Sequence, residues 1–307
     1  MDDSSPDYAR LRVHDPLTGS DFAPGAGIYY RDNFEQRAGH VGFKEGALRD
    51  GKATLRLGVS EHCQPGDEEC SERAEVWEYP ESWAPYQAGI WRGFAVRFVP
   101  PIPKDTHRYV IAQWKREIAG AHGNFSPYFA LRMRGGHLFA TIETNVLTST
   151  DGPGASSWPR PETEQTRILA AVNEGWNPDV APEYTARTAE IRITPRGAPL
   201  PRPSADWIEF AVFTRPGPSG DGRIELFANG GWVMSAEGRI GQGETRLGPR
   251  QYFKFGPYRA AAPGDWSLDY ADYRRSPRAA DVLGRDVLGR LWDDRLIEGL
   301  RLTAERE

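Results

Sequence analysis

Residues Tyr252 to Arg259, YFKFGPYR, decide how the rest of the chain is read. Extended as a β-strand, the segment points Tyr252, Lys254 and Tyr258 to one side and Phe253 and Phe255 to the other, because side chains alternate along a strand. One side suits a core and the other suits polar chemistry. Gly256 allows close backbone approach and Pro257 offers no ladder donor, so the strand is expected to bulge, bend or run along an edge just before Tyr258. The bland alternative is a strand whose Tyr and Lys side chains simply reach water.

Strand-like runs bounded by turn residues recur through the sequence, at 53–59, 73–79, 89–99, 109–117, 128–134, 137–144, 189–194, 207–214, 223–228, 232–235 and 266–273. Gly135-Gly136, between two of these runs, predicts a tight hairpin turn. Helical patterns are few. RILAAVNEG, at 167–175, is compatible with a short helix inside a Pro/Gly/Ser-rich stretch, 148–182, that includes Trp158 and Trp176. Its length suits a lid or binding loop as well as an inert insertion. Ser276-Pro277 reads as an N-cap and first helical position, and Val282, Leu283, Val287, Leu288, Leu291, Trp292 and Leu296 predict an amphipathic helix after it. The expected architecture is all-β: a jelly-roll sandwich of two antiparallel sheets with a concave substrate groove, plus a C-terminal helix. Residues 1–31 read as an irregular N-terminal arm, 32–275 as the β body, and 276–307 as a helical extension packed on it.

A chain of 307 residues can form one large β domain. Its 10 Trp, 12 Tyr and 13 Phe supply large buried areas and flat faces on which sugar rings can stack. A formal charge of -5 argues against general attraction to nucleic acid or anionic membranes. No apolar run approaches the roughly 18 residues of a membrane-spanning helix. The opening MDDSSPDYARL lacks the basic and apolar regions of a secretion signal. Cys63 and Cys70, the only two cysteines, bracket a polar loop and are expected to form a disulfide, which favours an oxidising compartment. Either the protein is intracellular or the sequence begins after a removed signal; the disulfide tips the expectation to a secreted or periplasmic monomer. No His/Cys/Asp/Glu spacing is a strong metal signature.

Two further runs divide their faces as the opening segment does. RAEVWEY places Arg73, Glu75, Trp77 and Tyr79 together, and YVIAQWKRE places Tyr109, Ile111, Gln113 and Lys115 opposite Val110, Ala112 and Trp114. Each alone matches an ordinary solvent face. In combination, RAEVWE, AQWKRE and YFKFGPYR resemble the three motifs of jelly-roll polysaccharide lyases: the alginate lyases with RxELR, QxH and YFKxGxY patterns, the glucuronan lyases, and heparinase I. The resemblance runs from about residue 32 to 274 and implies β-elimination of a uronate-containing polysaccharide. It makes Arg73 and Gln113 ligands of the substrate carboxylate, Glu75 an orienting partner for Arg73, and Tyr258 the catalytic phenol; Lys254 matches the lysine of the last motif.

Two departures bear on substrate and base. Trp77 stands where alginate lyases carry a second arginine and Lys115 where they carry histidine, which disfavours alginate. Tyr258, Lys115 and His62 are all candidates for the base, His62 by analogy with the histidine that glucuronan lyases place elsewhere. Tyr252, Arg259, Trp77, Arg132, Arg134 and Asn145 are candidate contacts to neighbouring sugars. The resemblance implies no required cofactor; a structural Ca²⁺ occurs among related lyases, and its oxygen ligands cannot be picked out here. The expected partner is an acidic polysaccharide, best a β-linked glucuronan.

The chemistry is coherent by itself. Removing the proton α to a carboxylate builds negative charge that cations and amides stabilise. Tyr258 beside Lys254 and Arg73 can act as acid or base, because nearby positive charge favours a phenolate. A glycoside hydrolase needs two carboxyl groups flanking the bond, and only Glu75 is assigned to this face. A non-catalytic carbohydrate-binding jelly roll is the main alternative.

Overall fold

The computed structural model describes residues 30–34, 39–64, 70–78, 80–118, 126–145, 166–243 and 247–293. The strands are divided between two stacked antiparallel sheets. The groove sheet runs in the order β1 (Tyr30–Phe34), β4 (Ser71–Glu78), β15 (Arg250–Ala260), β7 (Tyr109–Arg116), β8 (Phe129–Arg134), β9 (His137–Thr144), β10 (Thr166–Val172), with β5 (Ala84–Pro85) also pairing β15. The backing sheet runs β11 (Ile191–Pro195), β14 (Gly231–Ile240), β13 (Gly217–Ala228), β12 (Ile208–Arg215), β6 (Ile90–Val99), β16 (Trp266–Ser276), β3 (Lys52–Val59), β2 (Gly39–Arg49). This is the jelly-roll sandwich the strand pattern predicted.

Alternation explains the core. Phe253 and Phe255 turn inward, where Phe253 lies 4.6 Å from Trp114 and 5.5 Å from Phe94 between ring centroids. Burying each such ring contributes about 1.5–3 kcal/mol. A polar exception sits among them: Glu78 and Arg92 are fully buried and bonded at 2.8 Å, with the Tyr273 hydroxyl donating to the same carboxylate. Isolated, either charge would be costly; paired and hydrogen-bonded, both are tolerated. Gly135 and Gly136, at φ 59° and 73°, make the two-residue turn between β8 and β9.

Three expectations need correction. Residues 166–172, overlapping the helix-compatible segment 167–175, form β10, because pairing with β9 overrides local propensity. The C-terminal helix α1 spans Arg285–Asp293, shorter than its apolar stripe; Val282 and Leu283 precede it, and Leu296 lies outside the described residues. Ser276 does not cap it but bonds Asp281. With Leu291, Val282 and Leu283 cover Trp91, Phe213, Phe227 and Trp232 on the far side of the backing sheet. The N-terminal arm and Trp158 lie outside the described residues, apart from Tyr30 and Arg31, which open β1. The Cys63–Cys70 disulfide forms. Among the described residues no helix is long and apolar enough to cross a membrane.

Candidate active site

Register brings the three motifs together. Lys254 is paired with Trp77 on one side and Gln113 on the other, and Tyr258 with Arg73 and Val110. Tyr252 is opposite Lys115. Cross-strand neighbours on one face lie about 5 Å apart, so these side chains form a single patch. Beyond it the floor is low: Val110, Ala130 and Thr141 are the small residues of β7, β8 and β9 on this face.

The patch has two tiers. Below are Glu75, Gln113 and Lys254, all buried. Glu75 receives the Lys254 ammonium at 3.0 Å on one oxygen and a Gln113 Nε2 hydrogen bond on the other. It therefore orients the amide and the ammonium, where Arg73 was the expected partner. One Gln113 N–H is fixed in this way, leaving the second for the groove. Burial, opposed by the nearby Glu75 carboxylate, depresses the Lys254 pKa.

Above, partly exposed, stand Arg73, Arg108, Lys115 and Tyr258. The Arg73 guanidinium lies 4.4 Å from the Tyr258 ring centroid and bonds Ser71 at 2.7 Å. Arg108 stacks on the same ring at 5.1 Å and donates to the phenol oxygen at 3.1 Å. A guanidinium has no acceptor, so the Tyr258 proton must point elsewhere. Arg108 is a site residue the sequence reading missed. It lies one position before β7, and only the pairing of Tyr109 with Arg259 shows that it reaches Tyr258.

Lys115 has no hydrogen-bond or ion-pair partner among the described residues. Desolvation first and the like charge of Lys254 second, with Arg73 adding in the same sense, lower its pKa to about 7; Glu75 and Glu143 oppose. An amine near 7 is half neutral at neutral pH and able to accept a proton.

Several expected contacts lie elsewhere. Arg259 is fully buried and paired with Glu72 on the face away from the groove, as alternation from Tyr258 requires. Asn145, also fully buried, holds the Gly243 N–H at 2.9 Å. His62 is exposed, its backbone N–H bound to Glu72, and its ring makes no hydrogen bond or ring contact with the Tyr258 cluster among the described residues. Arg134 grips Val180 and Glu183, anchoring the 178–184 turns over Phe139. Arg132 stays on the groove face, bonded to Thr141 and Glu143. Tyr252 stacks on Trp83 at 4.5 Å and meets Trp77 edge-on at 5.3 Å, making an aromatic wall. Tyr109 and Ile111, expected beside Gln113, turn into the core because β7 bulges at Ile111. Among the described residues no group of three or more His, Cys, Asp or Glu is placed to hold a metal ion.

A jelly-roll sheet carrying a basic patch around a phenol, beside an aromatic wall and a low floor, defines a carbohydrate-active groove protein. The polysaccharide lyase family model matches residues 26–273, and the chain belongs to that family. It is a polysaccharide lyase. No curated protein sequence matches it. Among solved structures, endo-β-1,4-glucuronan lyase from the fungus Trichoderma reesei is similar in fold, with a TM-score of 0.54 at 14% identity over 83% of this chain and 97% of that one. Alginate lyase AlyC3 gives a TM-score of 0.41 at 10% identity over 73% and 74%. Alginate lyase A1-II′ of family 7 gives 0.42 at 12% over 79% and 96%.

Proposed function

We propose that this lyase cleaves a uronate-containing polysaccharide, best a β-linked glucuronan, by β-elimination, with Lys115 as base and Tyr258 as acid. The observation carrying the reading is the meeting of Tyr258, Arg73 and Arg108, beside a Lys115 amine that has no partner among the described residues, above the Glu75–Gln113–Lys254 floor. The substrate carboxylate lies against Arg73 and the second Gln113 N–H, which neutralise charge as it grows. Neutral Lys115 takes the proton from C5. The electron pair left behind forms the C4=C5 double bond as the C4–O4 bond breaks, and O4 takes the Tyr258 proton. The cycle ends with Lys115 protonated and Tyr258 ionised, and proton exchange with water resets both. General acid–base help of this kind is worth about 10²–10⁴-fold in rate.

Charge pairing supports a substrate of modest charge. Lys254, Arg132, Arg134 and Arg167 are already matched to Glu75, Glu143, Glu183 and Glu143 at 3.0, 2.8, 2.7 and 3.2 Å. Among the described residues of this face, most cations are thus already matched, which leaves little for sulfate groups. A panel of glucuronan, alginate and sulfated glycosaminoglycans, followed by the ultraviolet absorbance of unsaturated uronate, tests this. Absorbance should rise fastest with glucuronan; a preference for the sulfated chains would overturn the substrate assignment.

A further inference from the structure

The β15–β7 ladder slips between Phe255 and Tyr258, and the β7–β8 ladder slips between Val110 and Ala112. Both irregularities meet at one spot. Gly256 and Pro257 have no paired residue on β4 or β7, and Ile111 has none on β15 or β8. Gly256 sits at φ +129°, and a Cβ there would lie 2.2 Å from the Ala74 carbonyl oxygen and 2.8 Å from the Glu75 Cα. Only glycine fits. A buried backbone N–H and C=O robbed of ladder partners are costly unless something else satisfies them.

That something comes from the opposite sheet. The Tyr270 hydroxyl, on β16, accepts the Gly256 N–H at 3.2 Å and donates to the Ile111 carbonyl at 2.8 Å. The ring is fully buried and lies 4.9 Å from Phe255 and 6.2 Å from Phe94. One phenol therefore closes both strands of the double bulge. The bulge in turn decides two features of the groove. It places Tyr258 opposite Val110, where an unbroken β15–β7 ladder would place it opposite Tyr109, while its register with Arg73 on β4 runs on unchanged, and it presses the β15 backbone against Glu75, which holds Gln113 and Lys254.

We infer that Tyr270 is a positioning residue of the active site, clamping the Gly256–Ile111 bulge so that Tyr258 meets β7, and Arg108 just before it, in the correct register. This rests on the proposed role of Tyr258, yet the clamp itself can be tested without turnover. In the wild-type protein, amide hydrogen exchange should find the Gly256 N–H as protected as the buried amides of Phe255 and of Phe253, which donates to Glu78. Exchange at the rate of an open loop would overturn the clamp, whatever the enzyme does to polysaccharides.

The functional arm compares Tyr270→Phe with Tyr86→Phe. Tyr86 is a matched control: a buried phenol that accepts the Gln242 backbone N–H at 2.8 Å, apart from the Tyr258 cluster. Both variants should lose some thermal stability. Tyr270→Phe should also lower kcat by about tenfold or more with KM within about twofold, since small misplacements of reacting groups are expensive. It should speed exchange in the 252–259 segment, and Tyr86→Phe should do neither. Equal kcat in the two variants, or kcat losses that merely track stability, would overturn the positioning role. An inactive wild-type protein would instead count against the proposed reaction and leave the exchange result to decide the clamp.

Discussion

The pH dependence of turnover discriminates between two uses of Lys115. Its amine pKa is brought down from the ordinary 10.5 to about 7 by desolvation and by the neighbouring Lys254. At pH 7.5 about three-quarters of the molecules then carry a neutral amine, against about one in a thousand for an unperturbed lysine. If that amine removes the C5 proton, kcat/KM on glucuronan should climb with pH through a single ionisation near 7. It should stand at about a tenth of its plateau at pH 6 and about nine-tenths at pH 8. Lys115→Arg keeps the positive charge at every pH and cannot serve as a base. The variant should lose about 10²–10⁴-fold in kcat across the whole range. The assay is initial-rate absorbance of unsaturated uronate in buffers of constant ionic strength. A lysine that only holds the substrate carboxylate reverses both signs: activity would fall as pH rises through 7, and Lys115→Arg would remain active. Either result refutes the base assignment.

Further outcomes follow from the same contacts. Tyr258→Phe should abolish turnover, a fall of about 10²–10⁴-fold, while oligosaccharide affinity measured by calorimetry stays within a few-fold. Arg108→Met removes the donor to the Tyr258 oxygen and one cation stacked on its ring; kcat should fall about tenfold or more, with a smaller change in KM. The unfolded chain holds the Lys115 proton between about pH 7 and 10.5 while the folded chain has released it, so this group makes stability rise with pH in that window. Lys115→Met should accordingly gain more stability over wild type at pH 6 than at pH 9.5 in urea unfolding. Replacing Cys63 and Cys70 by serine should cost about 2–3 kcal/mol, read as a lower Tm, with kcat per folded molecule unchanged.

Most of the fold was legible because two-residue periodicity is a direct imprint of a half-buried sheet. In β4 and β15 that period holds throughout, and Arg73, Glu75, Trp77, Tyr252, Lys254 and Tyr258 stand where alternation put them. Where the period failed, the cause was a bulge. The extra residue at Ile111 reversed Tyr109 and Ile111, and no local feature of YVIAQWKRE signals it. The Gly-Pro pair in β15 did signal an irregularity, though not the phenol from β16 that fills it. Arg259 was misplaced for the opposite reason: strict alternation from Tyr258 would have sent it inward. Arg108, Asn145 and β10 depended on register and tertiary pairing, which sequence periodicity does not encode.

A crystal structure of Tyr258→Phe with a bound glucuronate oligosaccharide tests the account most directly. A uronate carboxylate should lie on Arg73 and Gln113, with the Lys115 nitrogen facing C5 and the Phe ring edge beside O4. A sugar chain lying across the patch with its carboxylates turned away from Arg73 and Gln113, or seated on another surface, would contradict it.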